Sequence, residues 1–118
     1  SWPEPRAPSI MNISLNAIPW QKEHRVNAGA RAVLELDCPM CLEQNADLVV
    51  RLFPESYSKK IGGDIQESLE ELEVEVVARG ENTATFITPD NPGAYRVFVF
   101  AQNDHRQVSV ANVPFIVE

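Results

Sequence analysis

The stretch Asn91-Pro92-Gly93-Ala94-Tyr95-Arg96-Val97-Phe98-Val99-Phe100-Ala101 constrains this chain more than any other. Proline fixes φ and glycine tolerates conformations closed to other residues, so the segment turns and then feeds a run of β-branched and aromatic residues suited to a strand. Tyr95, Val97 and Val99 share one face of that strand, and Arg96, Phe98 and Phe100 the other. With both faces largely apolar, the strand lies centrally in a sheet or presents one side to a neighbour. Phe98 and Phe100 are thus candidates for a contact surface, the other reading being burial under a loop or flanking domain.

From residue 9 onward the pattern is strand after strand, in about seven runs. Ile10 to Leu15 reads as a first strand with Met11, Ile13 and Leu15 facing the core, broken by Ile18-Pro19-Trp20. His24 to Val26 reads as a short edge continuation, and Arg31 to Asp37 as a second strand in which Ala32, Leu34 and Leu36 compete with Val33 for the inner face. Asp47 to Phe53 is the third. Pro54 to Ser68, with Lys59, Lys60, Gly62-Gly63 and Asp64, reads as a long loop. Leu72 to Ala78 is a strand with its glutamates on the wet side, Arg79 to Asn82 a hairpin turn, and Thr83 to Thr88 its return. Gln102 to His105 turns the chain into a last strand, Gln107 to Val117, whose Pro114 suits a sheet edge. The expected fold is all-β, an immunoglobulin-like β-sandwich of about seven antiparallel strands over residues 9–118, with Gly93 opening the penultimate strand and Tyr95 bonding nearby backbone in a tyrosine corner.

The 118 residues suit one domain. Three prolines among residues 1–8 make that segment an extended linker. A net charge of -7 argues against nucleic acid, whose affinity depends on Lys and Arg. No apolar run approaches a membrane span and no signal peptide opens the chain, so it is cytoplasmic or its targeting segment has been removed.

Cys38-Pro39-Met40-Cys41 is the sharpest chemical motif. Thioredoxin-type exchange needs the first thiolate at a helix N-terminus, whereas this motif falls between strands, and His24 and His105 have no spacing that would complete a zinc site. A local disulfide clamping the turn is the favoured reading, with free thiols or redox and metal chemistry as the others; so short a loop adds little to global stability. Nucleophilic catalysis, paired carboxylates and an Asp-x-Asp calcium pattern find no support, so no catalytic residue, metal or cofactor is assigned. The aromatics open to a ligand such as a sugar ring are Trp20 and Tyr57, with Trp2 beside them. Trp20 either plugs the end of the sandwich or offers a flat surface.

Two stretches carry a resemblance: Leu52-Phe53-Pro54-Glu55-Ser56 running into Lys60-Ile61-Gly62-Gly63-Asp64, and Pro92-Gly93-Ala94-Tyr95-Arg96-Val97-Phe98-Val99 running into Ala111-Asn112-Val113-Pro114-Phe115-Ile116-Val117. Over a little more than half its length the chain resembles the C-terminal immunoglobulin-like modules attached to secreted bacterial glycoside hydrolases. The resemblance implies a non-catalytic accessory or spacer module, secreted or periplasmic, whose partners are adjacent domains and in some cases polysaccharide. Three alternatives stay open: a carbohydrate-binding module using exposed aromatics, a protein-interaction domain docking through Phe98, Phe100 and the last edge strand, and a redox or metal-binding protein using Cys38 and Cys41.

Overall fold

Alternation of buried and exposed side chains along nearly every segment sorts the chain into two facing sheets. A computed structural model describes residues 9–10, 12–43, 45–55, 71–104 and 106–118. The strands are β1 (Ser9–Ile10), β2 (Asn12–Leu15), β3 (Ile18–Pro19), β4 (His24–Val26), β5 (Arg31–Asp37), β6 (Asp47–Pro54), β7 (Val76–Arg79), β8 (Thr83–Ile87), β9 (Gly93–Asn103) and β10 (Arg106–Val117). One five-stranded sheet runs β3-β2-β5-β8-β7; the other runs β1-β10-β9-β6, with β4 also on β10. The result is an all-β sandwich. Among the described residues no helix is long and apolar enough to cross a membrane. The linker expected over residues 1–8, and nearly all of the loop expected from Pro54 to Ser68, lie outside the described residues.

The core is drawn from alternate positions of both sheets. Ala32, Leu34 and Leu36 of β5 are buried and Val33 points out, which resolves the competition for that strand's inner face. Across the gap Tyr95, Val97 and Val99 of β9 and Val113 and Phe115 of β10 turn inward. The Phe115 ring meets Phe86 of β8 at 5.8 Å and stacks on Tyr95 at 5.7 Å, which joins the two sheets through aromatic contacts.

Several sequence expectations need correction. The single strand from Ile10 to Leu15 is two: β1 lies parallel to β10, while β2 pairs antiparallel with β5. Ile18-Pro19 is less a break than the return of a hairpin, Leu15 opposite Ile18, over Asn16 and Ala17 with φ of 52° and 66°. These left-handed angles suit a two-residue turn that follows strand twist. Asn16 also extends the β2–β5 ladder, its N–H donating to the Val33 carbonyl and its Oδ1 accepting from the Val33 N–H. The strand expected from Leu72 begins only at Val76, with Leu72 in an isolated bridge to Leu52. Nor are all pairings antiparallel, since β4 joins β10 in parallel, His24 opposite Phe115.

Candidate functional site

The cysteine motif closes on itself. Cys38 and Cys41 form a disulfide with Cα atoms 5.3 Å apart, and both are buried. The motif is not a plain turn between strands: it opens a one-turn helix, α1 (Pro39–Glu43). The Cys41 N–H donates to the Cys38 carbonyl at 3.0 Å and lies 3.2 Å from Cys38 Sγ. Pro39 is the signal that marks this turn, because proline is favoured at the first helical position. The bridge ties one turn to itself and leaves the two sheets unlinked. Among the described residues no group of three or more His, Cys, Asp or Glu is placed to hold a metal ion.

Phe98 and Phe100 stand half-buried on the outer face of the β6–β9–β10 sheet. Register sets the rows: Val49, Phe100 and Val110 lie side by side, then Arg51, Phe98 and Asn112, then Phe53, Arg96 and Pro114. Phe98 stacks on Phe100 at 6.2 Å and takes the edge of Phe53 at 5.6 Å, and the Arg51 guanidinium lies 5.7 Å from the Phe53 ring centre. Phe53 belongs to this cluster although sequence reasoning did not single it out; its position on the strand face shared with Val49 is the available signal.

Ion pairs flank the aromatics. Arg51 Nε donates to Glu71 Oε2 at 3.0 Å, and this hydrogen bond holds the Glu71 carboxyl below the usual carboxylate range. Arg96 grips Glu55 with two bonds, Nε to Oε2 at 2.8 Å and Nη2 to Oε1 at 2.7 Å, while Nη1 donates to Asn112 Oδ1. The bidentate bond raises the Arg96 pKa, so the group is a permanent cation held in place. Both pairs join residues far apart in sequence, 20 residues for Arg51 and Glu71 and 41 for Arg96 and Glu55.

The third place is the outer rim of β10. Here β1 covers Ser109 and Val110, and β4 covers Phe115 to Val117. Between them the Trp20 Nε1–H donates to the Asn112 carbonyl at 2.9 Å. Glu118 N–H points outward to the Val26 carbonyl, so by strand parity Pro114, which has no N–H, faces the same way. From Ser109 to Val117 the rim is thus covered or blunted. The expectation that the last strand is a sheet edge is corrected accordingly, since β10 lies between β9 and the short strands β1 and β4. Trp20 does not plug the sandwich: the residue is 47% exposed. It lines a cleft of about 410 Å³ with Lys22, Glu55, Arg96, Pro114 and Ile116.

Of the remaining expected residues, Tyr95 donates its hydroxyl to the Asn91 carbonyl at 2.7 Å, and burial pushes its phenol pKa up. Gly93 has φ of +153°, which favours glycine. Tyr57, Trp2 and His105 lie outside the described residues. His24 is buried; its Nε2 accepts from the Gln21 N–H at 3.2 Å, its ring bonds the Pro19 backbone, and desolvation lowers its pKa. No protein-family profile matches the chain, and no curated protein matches it.

Proposed function

We propose that this sandwich is a non-catalytic spacer, an accessory module strung in line within a larger extracytoplasmic polypeptide that processes carbohydrate. One observation carries the reading: the first described strand runs parallel to the last, Ser9 beside Ser109. A chain arriving at Ser9 therefore enters near the start of β10 and leaves at Glu118 beyond its other end, roughly 30 Å away at about 3.3 Å per residue. A module with its connections at opposite ends holds its neighbours apart. The order β2-β5-β8-β7 facing β6-β9-β10 supports the immunoglobulin-like assignment. The likeness of Leu52–Asp64 and Pro92–Val117 to glycoside hydrolase modules supports the carbohydrate setting, and the Cys38–Cys41 disulfide supports an oxidising compartment.

The test replaces residues 9–118 with a Gly/Ser linker in the polypeptide that carries the module. Turnover of a small soluble glycoside is expected to persist, while the distance distribution between flanking domains, narrow with the module, becomes broad. Loss of that turnover, or an unchanged distribution, contradicts the reading.

The Phe53–Phe98–Phe100 cluster favours a second role, packing against the domain that precedes Ser9. A domain attached ahead of Ser9 would be tethered beside Ser109, one residue from Val110, the cross-strand neighbour of Phe100, so its effective concentration at this face would be high. The expected result is that the preceding domain, titrated in trans, binds the isolated module and loses affinity for a folded Phe98→Ser variant; absence of binding, or undiminished binding to the variant, removes this role.

A further inference from the structure

We propose that the cleft beside Trp20 binds a neutral saccharide. Its volume of about 410 Å³ falls within the range of roughly 300–1,000 Å³ typical of small-molecule sites. This binding activity goes beyond the spacer role and rests on separate geometry, so a failed saccharide titration leaves the in-line connections standing, and the reverse also holds.

The aromatic wall is the first reason. Sealing the β10 rim requires only the indole N–H, yet Trp20 stays 47% exposed and lines the cleft. Because its bond to Asn112 already orients the ring, stacking costs little further side-chain entropy. A flat, pinned apolar surface suits the C–H face of a pyranose.

Charge balance is the second. Arg96 is neutralised by the two bonds to Glu55, and the other two charged residues lining the cleft, Lys22 and Glu23, are opposite in sign, with Glu23 3.6 Å from the Arg25 guanidinium. An anion would find its best cation already committed, and a cation would find no net negative field. A ligand that carries no charge loses nothing in this setting.

The third is hydrogen bonding. Three of the five Arg96 N–H groups are engaged with Glu55 and Asn112, which leaves one on each terminal nitrogen. Such donors, fixed in a plane by the bidentate pair, suit hydroxyl oxygens, while Pro114 and Ile116 supply the apolar side. An apolar plane beside fixed planar donors matches a sugar, whose ring faces are apolar and whose hydroxyls project at the edge.

The experiment is calorimetric titration of the chain with cellohexaose, xylohexaose, mannohexaose and maltohexaose at millimolar concentration. At least one is expected to bind with a stoichiometry of one, and a folded Trp20→Ala variant to bind it roughly tenfold more weakly or worse. Should Trp20→Ala fail to fold, a Trp2→Phe variant leaves Trp20 as the sole tryptophan; its emission is expected to shift to the blue and resist acrylamide quenching as saccharide is added. Absence of binding to all four sugars, unchanged affinity in folded Trp20→Ala, or unmoved Trp20 emission would overturn the proposal.

Discussion

Trp20 and Asn112 meet across 92 residues of sequence, the indole N–H donating to a strand carbonyl at 2.9 Å in the stretch of β10 between the residues that β1 covers and those that β4 covers. A side chain here does what a third short strand would otherwise do. Trp20→Phe keeps the ring and removes the donor. The expected loss is about 0.5–1 kcal/mol of stability, since this bond is exposed. Urea unfolding with an unchanged midpoint would show that the bond contributes nothing.

Tyr95 tests the start of the penultimate strand. Removing its hydroxyl by Tyr95→Phe is expected to cost about 1 kcal/mol through the lost bond to Asn91. Gly93→Ala acts differently. An added Cβ meets only Tyr95 Cε2 at an ordinary 3.9 Å, so the cost is conformational strain at φ +153°, about 1–3 kcal/mol. Denaturant midpoints of the two variants check both figures.

His24 sets a pH dependence. Desolvation lowers its folded pKa below the ordinary 6.5, and its Nε2 is already used as an acceptor from the Gln21 N–H. As pH falls through 6.5 the unfolded chain takes up a proton that the folded chain refuses. The contribution of the neutral ring is thus present above pH 6.5 and is lost as pH falls toward the folded pKa, levelling off below it. Unfolding free energies measured from pH 8 to 5 are expected to show this fall in the native chain and a shallower one in His24→Gln. Parallel profiles for the two proteins would refute it.

The disulfide is expected to matter little for the fold. Its loop spans only the Cys38 to Cys41 turn, so chain-entropy reasoning limits the stabilisation to about 2 kcal/mol. A Cys38→Ala, Cys41→Ala double variant should keep its β-sheet circular dichroism and unfold at modestly lower denaturant. Complete loss of structure would mean that the bridge holds more than its own turn.

Much of the sandwich is legible from the residue pattern: β5 and β8 bury the face with more apolar residues because that side meets the opposite sheet, and β9, apolar on both faces, lies centrally in its sheet. Other features escape for physical reasons. Residues 9–15 keep one alternation while changing sheets, and the choice of partner depends on β10, a hundred residues away. A single helical turn at Pro39–Glu43 is too short to show a period, leaving only Pro39 as a clue. The cleft is assembled from Trp20 before β4, Glu55 after β6, Arg96 in β9 and Ile116 in β10, so no local motif announces it. What sequence reasoning does find there is the aromatic itself.

The parallel pairing of the first and last strands is the point on which the spacer role depends, and pulsed electron spin resonance measures it directly. Nitroxides attached at Ser9→Cys and Glu118→Cys, with the Cys38–Cys41 pair left oxidised, should report one narrow distance distribution centred near roughly 30 Å, allowing for label length. A short distance, placing both connections at the same end of the sandwich, or a distribution without a defined peak would contradict the account.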